Sequence, residues 1–166
     1  MTQVDPPTLD LDLPIGAVYR TRGRTLTRGE CALLADLTWT IGSLHTDREF
    51  AKNHEFGDTF VAGAVLLAVA VGLINTSDHY RELQETHGIR VIAALGVDAK
   101  YRNPLFPGNT ITVETRIEGA RESKSRPGEG ILTFEDRVLN QDEVVLLEMK
   151  RAWRFSRRIA SSDGDR

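Results

Sequence analysis

The chain has 166 residues, of which 40% are hydrophobic and 27% are charged, so it is long enough for one domain with a substantial buried core. Its net charge of −3 argues against a nucleic-acid binder, which would need a basic surface. The single cysteine, Cys31, excludes an intramolecular disulfide and a cysteine-cluster zinc site. The longest apolar run, residues 61–74, is too short to span a bilayer. We therefore expect a cytoplasmic protein with neither membrane nor nucleic-acid partners.

The two ends of the chain differ from its middle. Residues 1–13 and 157–166 are polar and show no periodicity, and we expect both to be mobile tails. The first segment is Pro-rich and polar, which does not fit a secretory signal peptide. Residues 14–156 contain no repeat and no low-complexity segment, so they are interpreted as a single domain.

Two short motifs predict helix starts. A predicted strand over residues 17–27 ends at the first, in which Thr27 and Glu30 form a capping box that satisfies backbone N–H groups. The second motif, TDRE at residues 46–49, has the same pattern and predicts another short helix.

The hydrophobic pattern changes near the middle of the chain. The run from residue 63 to 76 is apolar on every side, which predicts a helix that other elements must enclose. From residue 89 onwards four segments alternate with a period of two, which is typical of half-buried antiparallel strands. Together with the strand at 17–27 and the apolar helix, these four strands predict an α+β fold. In this fold a curled five-stranded antiparallel sheet wraps around a central helix. Such a sheet cannot both enclose the helix and cover its own edges, so we expect a dimer.

Histidines are the first candidates for chemistry. His79 and His87 lie in a polar helix and are expected at the surface, and His54 is expected to cap the end of a short helix. His45 directly precedes Thr46, the expected start of the second helix, where a positive charge is disfavoured. A neutral imidazole there could act as a general base. The alternative is that His45 only packs against the helix start.

Gly63 is the second candidate because it opens the apolar helix. The N–H groups of a first helical turn lack intrahelical partners, and glycine lets another atom approach the backbone closely. Together these features form a small site for an oxygen that gains negative charge. The alternative is a glycine required for packing. Cys31 is expected to be a core residue, and we expect no metal site.

Three segments resemble one known family, in its order and spacing. They are LADLT leading to LHTD (34–38 and 44–47), FG leading to VAG and the apolar helix (56–63), and YRNPLFPGNT (101–110). The last is similar to the family's arginine followed by P-x-x-P-G-D-T. Over about residues 16–155 the chain thus resembles the MaoC-like acyl-dehydratase and (R)-specific enoyl-CoA hydratase family of the hot-dog fold.

This resemblance implies a dimer with one continuous sheet and a tunnel for an acyl thioester. The acyl group would arrive on coenzyme A or on an acyl carrier protein, and no further cofactor is implied. His45 matches the family's catalytic His, which acts on water together with an Asp in the pattern D-x-N-P-x-H. Gly63 matches the glycine at the helix start whose N–H polarises the thioester carbonyl.

The chain departs from the family at the catalytic Asp, where it has Thr40. A threonine hydroxyl can hold a water but cannot act as a general base near neutral pH. Asp36 or Asp58 could supply a carboxylate instead. Asp47 matches an acidic residue of the family, and a helix-start role is expected for it. Thr40, Asp47, Asp58 and Ala62 are therefore expected to line the substrate site.

Three functions remain open from the sequence. The first is hydration of an enoyl thioester or dehydration of a 3-hydroxyacyl thioester, with His45 as the acid/base. The second is a non-catalytic acyl-binding or supporting subunit that forms a heteromer with a second MaoC-like chain. The third is acyl-CoA thioester hydrolysis, which would need a carboxylate that the sequence does not place.

Overall fold

The computed structural model describes residues 11–157, which form a six-stranded antiparallel sheet and five helices. The strands are β1 (Val18–Arg20), β2 (Arg24–Thr25), β3 (Ile89–Tyr101), β4 (Thr110–Glu122), β5 (Glu129–Asn140) and β6 (Val145–Arg157). The helices are α1 (Arg28–Leu37), α2 (Ser43–Thr46), α3 (Arg48–Ala51), α4 (Gly63–Asn75) and α5 (Asp78–Glu85). The predicted α+β class is confirmed.

The sheet has the order β1-β4-β5-β6-β3, and β2 also pairs with β4. The strand predicted at residues 17–27 is thus two short strands that pair with β4 at different places, so the sheet has six strands rather than five. β3 is a long strand at one end of the sheet, with β6 as its neighbour. Its other edge has no strand beside it within the described chain.

Helix α4 packs on one face of the sheet. Four of its residues, Val65, Leu66, Ala70 and Ile74, are buried in a cluster with apolar residues of β4, β5 and β6. The opposite side of the helix carries the exposed residues Ala64, Ala68, Gly72 and Asn75. In a single chain α4 is therefore covered along part of its surface, not on every side as predicted, because the sheet reaches only one flank of the helix.

The two predicted capping boxes have different outcomes. Thr27 caps α1 as predicted: its hydroxyl accepts from Glu30 N at 3.3 Å, and Thr27 N donates to the Glu30 carboxylate at 2.9 Å. The second box is wrong, since Asp47 is the N-cap of α3 and accepts from Phe50 N at 3.0 Å. Thr46 instead ends α2 and donates to the carbonyl oxygen of Ile41.

A buried ion pair lies between the cluster around α4 and a second apolar cluster, which is built around Phe134 and Trp153. Asp136 on β5 and Arg151 on β6 are 1% and 3% exposed, and the guanidinium binds both carboxylate oxygens. Thr115 on β4 donates to the same carboxylate at 2.8 Å. The Arg151 guanidinium also lies over the rings of Phe134 and Trp153, at 4.7 and 4.8 Å.

The folded part extends slightly past the predicted domain limits of 14–156. Leu13, assigned to the N-terminal tail, is 7% exposed and belongs to the second apolar cluster. Arg157, assigned to the C-terminal tail, ends β6 and donates to the carbonyl oxygen of His87 at 2.9 Å. The rest of the predicted tails, residues 1–10 and 158–166, lies outside the described residues.

Within residues 11–157, none of the helices has the length and apolar character required to cross a membrane.

Candidate active site

His45 lies in the last turn of α2 and is half-buried. Its Nδ1 is 2.8 Å from the carbonyl oxygen of Phe60. A carbonyl oxygen can only accept, so Nδ1 carries the proton and donates, and Nε2 carries the lone pair of the neutral ring. The edge of the ring also packs against the Phe60 ring, with centroids 5.0 Å apart. These contacts fix the orientation of the imidazole.

The position of His45 differs from the sequence interpretation in one respect. Thr46 does not start a helix: it ends α2, and the N-cap of the next helix, α3, is Asp47, two residues after His45. The hydrogen bond to Phe60, not a neighbouring helix, selects the tautomer.

Phe60 connects His45 to the start of α4. Its N–H donates to the carbonyl oxygen of Leu44 at 3.4 Å, while its own carbonyl accepts from His45. Val61 N then donates to Leu105 O at 2.8 Å, which joins this segment to the loop after β3. α4 begins three residues after Phe60. The backbone of residues 60–62 thus connects the imidazole to the helix start.

Gly63 is the first residue of α4, and Ala62, which is 6% exposed, is its N-cap. Val65 N and Leu66 N both donate to Ala62 O at 3.0 Å. The N–H groups of Gly63 and Ala64 precede these bonds and have no acceptor among the described residues. They are the free donors of a first helical turn. The site predicted at Gly63, for an oxygen that gains negative charge, requires such donors.

A cleft of about 490 Å³ opens at this helix start. Its walls come from the segment before α4, from α4 itself and from the loop after β3. The lining residues are Phe56, Phe60, Val61, Gly63, Ala64, Leu66 and residues 101–105. It is mostly apolar with the two backbone donors of α4 at one side, an arrangement that suits an acyl group with a polar carbonyl.

Thr40 follows α1 and is half-buried. Its hydroxyl lies 2.9 Å from the hydroxyl of Thr38, and its N–H donates to Ala35 O at 3.0 Å. The structure shows no hydrogen bond between Thr40 and His45 among the described residues. The preceding residue, Trp39, has a φ of 57° and a side chain that is 85% exposed.

Two of the aspartates that were expected to line the substrate site, Asp47 and Asp58, are engaged elsewhere. The Asp47 side chain caps α3, so its predicted helix-start role agrees with the contacts that it makes. Asp58 accepts from Thr59 N at 2.8 Å and pairs with Arg28 at 3.3 Å and Arg48 at 3.5 Å. The hydrogen bond from Thr59 N, helped by the two guanidinium groups, lowers the pKa of Asp58. Its contacts link α1 and α3 and do not include His45.

In the described part of the chain no carboxylate oxygen lies within 4.0 Å of a His45 nitrogen. The structure therefore connects His45 through Phe60 to the segment that leads into Gly63, although His45 does not line the cleft at that helix start. Thr40, Asp47 and Asp58 make no hydrogen bond to the imidazole within the described residues. Sequence reasoning missed Phe60. Phe60 acts through its backbone carbonyl, which accepts the hydrogen bond from His45. Every residue has such a carbonyl, so the sequence does not indicate which one a histidine will bind.

Comparisons with known proteins identify the fold and the family. Residues 11–137 match the model of the MaoC like domain family. A search of curated proteins gave no match.

Among solved structures, a MaoC-like dehydratase from Rhodospirillum rubrum is 25% identical, with a TM-score of 0.71 over 89% of this chain and 96% of that one. A monoamine oxidase regulatory protein from Archaeoglobus fulgidus is 24% identical, with a TM-score of 0.76 over 94% of this chain and 100% of that one. An (R)-hydratase from A. caviae is also 24% identical, with a TM-score of 0.66 over 86% of this chain and 96% of that one. The chain therefore has the hot-dog fold and belongs to the MaoC-like domain family.

Proposed function

We propose that this chain adds water to the double bond of an enoyl thioester, or removes it from a 3-hydroxyacyl thioester. The observation that carries the proposal is the hydrogen bond from His45 Nδ1 to Phe60 O. It leaves Nε2 as a proton acceptor, and it ties the ring to the backbone that leads into the free N–H groups of α4. A base and an oxyanion donor held by one segment are the two groups that this reaction needs.

The proposed steps use only these groups. Nε2 of His45 takes a proton from water as the water oxygen bonds to C3 of the enoyl group. The electron pair of the double bond moves towards the thioester carbonyl, whose oxygen becomes an enolate and accepts from Gly63 N–H. The imidazolium then returns the proton to C2, which restores the carbonyl. The acyl group would be carried by coenzyme A or by an acyl carrier protein, and no further cofactor is used.

A second candidate function is that of a non-catalytic subunit, which binds the acyl group beside a MaoC-like chain that has the full Asp and His pair. Two observations favour it, namely Thr40 at the position of the family Asp and the distance of Asp47 and Asp58 from His45. A missing acid/base partner reduces rates by about 10²–10⁴-fold. No contact in the described residues favours the third candidate, thioester hydrolysis, since it too would need a carboxylate at the site.

Hydration of crotonyl-CoA by the wild type and by His45→Ala tests the proposal. We expect His45→Ala to abolish hydration while the far-ultraviolet circular dichroism spectrum stays unchanged, because the residue is half-buried at a helix end and not in the core. His87→Ala is the matched control, since it removes an imidazole that, unlike that of His45, has no hydrogen bond or ring contact with Phe60 in the described residues. Wild-type activity that His45→Ala leaves intact would rule out the assignment.

Thr40→Asp separates the two candidate functions. An increase in hydration would mean that the site is complete apart from the carboxylate, and that the wild type is a weakened or accessory member. A decrease would mean that the Thr40 hydroxyl belongs to a working site and holds the water. The cytoplasmic location stays a prediction.

A further inference from the structure

Tyr101, the last residue of β3, packs its hydroxyl-bearing end onto Gly63. The position that a Gly63 Cβ would occupy lies 2.8 Å from both Cε1 and Cζ of Tyr101 and 3.2 Å from Cε2. Any side chain at residue 63 would collide with the ring, so the glycine admits the phenol to the backbone. The contact therefore places Cζ, the ring carbon that carries the phenol oxygen, against the first residue of α4, whose N–H group is free among the described residues.

The Tyr101 hydroxyl has no hydrogen-bond partner among the described residues, and the residue is 52% exposed and lines the cleft. Most other polar groups around the cleft are already engaged. Arg102 binds Glu148 at 2.7 Å, and the Asn103 amide donates to Val145 O at 2.7 Å. The phenol is thus a free donor at the site where the thioester carbonyl would bind.

We propose that Tyr101 is a catalytic residue of this chain, whose phenol O–H donates a second hydrogen bond to the thioester carbonyl oxygen. This inference rests on the proposed function. Two preorganised donors stabilise the negative charge that develops on that oxygen better than one, because the second pays no reorganisation cost at the moment of reaction. Gly63 then has two roles, as the first donor and as the residue that lets the second approach.

The test compares Tyr101→Phe with the wild type, because this change removes the hydroxyl and keeps the ring against Gly63. Loss of one oxyanion donor costs about 10²–10³-fold in kcat. Since the phenol is half-exposed, we expect a decrease of at least about tenfold in kcat with little change in KM. Tyr80→Phe is the matched control, since Tyr80 packs on Trp153 and lies outside the cleft. A decrease confined to KM, or no decrease, would overturn the inference.

A spectroscopic measurement covers the case in which the wild type binds acyl thioesters without turning them over. The infrared carbonyl stretch of bound butyryl-CoA, labelled with ¹³C at the thioester carbon, falls as hydrogen bonds to its oxygen strengthen. Tyr101→Phe should shift this band to higher frequency, and Tyr80→Phe should not. An unshifted band with retained binding would overturn the role of Tyr101 and leave the proposed function standing. Failure of the wild type to bind butyryl-CoA would overturn the proposed function and this inference with it.

Discussion

His79 lies in the first turn of α5, with its imidazole stacked on the Tyr19 ring at a centroid distance of 3.7 Å. The residue is 5% exposed, and neither ring nitrogen has a partner in the described part of the chain. Burial, together with the charge of the nearby Arg151, lowers the pKa of His79 to about 4. The imidazole is therefore neutral at pH 7 and packs as an aromatic ring against Tyr19.

This burial predicts acid sensitivity. The unfolded chain binds the His79 proton near pH 6.5, whereas the native state binds it only near pH 4. Between these values the unfolded state holds more protons, so the free energy of unfolding falls as the pH is lowered from 6.5 to 4. The loss is on the order of 3 kcal/mol. Urea unfolding at pH 7 and pH 5 should show about 2 kcal/mol of this loss, because pH 5 still lies above the folded-state pKa.

His79→Phe should reduce the difference between the two pH values, because phenylalanine keeps the stack on Tyr19 and does not titrate. His54→Phe, a change at a half-buried histidine that packs on Phe56 and Phe60 and not on His79, should leave the difference unchanged. Equal pH dependence in the wild type and His79→Phe would show that other groups control it.

The pair of Asp136 and Arg151 allows a second test at the residue scale. Asp136→Leu leaves a buried guanidinium without its carboxylate and should lower the free energy of unfolding by about 3–5 kcal/mol. The double variant with Arg151→Met should recover most of this loss, since apolar residues of similar volume can replace a buried ion pair. Urea unfolding of both variants measures the difference.

An adjacent ion pair on the outer face is the matched control. Glu135 and Lys150 are the sequence neighbours of Asp136 and Arg151, and their side chains are 40% and 63% exposed at a distance of 3.0 Å. Glu135→Leu should therefore destabilise the chain far less than Asp136→Leu, because solvent screens the exposed pair. Equal losses of unfolding free energy in Glu135→Leu and Asp136→Leu would contradict the conclusion that burial makes the Asp136 pair important.

At the scale of elements, the long periodic segments were predictable and the short connections were not. The apolar helix and strands β3 to β6 follow from side-chain periodicity, which depends on the sequence alone. The start of α3 does not follow from periodicity. Thr46 and Asp47 are both good N-cap residues, and only the hydrogen bonds in the structure show which of them caps the helix. The surface position predicted for His79 is wrong, because Tyr19, which covers its ring, comes from a strand distant in the sequence.

The candidate site likewise combines an element that the sequence predicts with contacts that it does not predict. The helix start at Gly63 was predictable from the apolar run. The connection from His45 to that helix was not predictable, because it is made by the backbone carbonyl of Phe60. Every residue has a backbone carbonyl, so the sequence does not distinguish this one. The closeness of Tyr101 to Gly63 also depends on the packing of β3 beside α4, which the periodicity of neither element specifies.

The cap of α3 can be tested directly. Asp47→Ala should lower the free energy of unfolding by about 1 kcal/mol, since it removes the acceptor of Phe50 N. Asp47→Asn should keep most of the stability, because asparagine is an equally good N-cap. If Thr46→Ala proved the more harmful change in thermal unfolding, the N-cap would be Thr46 after all.

At the scale of the whole molecule, two exposed apolar surfaces lie side by side. β3 is an edge strand on which Ile92, Leu95 and Val97 are 40%, 50% and 42% exposed, and α4 exposes its line of small residues on the flank that the sheet leaves uncovered. A long apolar edge strand is normally covered. We expect a second copy to cover it, with pairing of the two β3 strands into a continuous sheet.

Sedimentation velocity at micromolar concentration should therefore give about twice the chain mass of 18.5 kDa. Val97→Lys should shift the protein towards the monomer, because it buries a charge in the expected interface. Val18→Lys is the matched control, since Val18 is a 62% exposed valine on the opposite edge strand. A wild-type monomer, or a dimer that tolerates Val97→Lys, would be incompatible with this arrangement.

The buried pair of Asp136 and Arg151 also has a consequence for how the sheet assembles. Side chains alternate between the two faces of a strand, so a slip of β5 by one residue against β6 would turn Asp136 towards solvent. Arg151 would remain in the core without a carboxylate, at a cost of about 3–5 kcal/mol. Apolar residues alone would penalise such a slip less sharply, since many pairings bury them equally well. The pair therefore selects the native strand register while the chain folds.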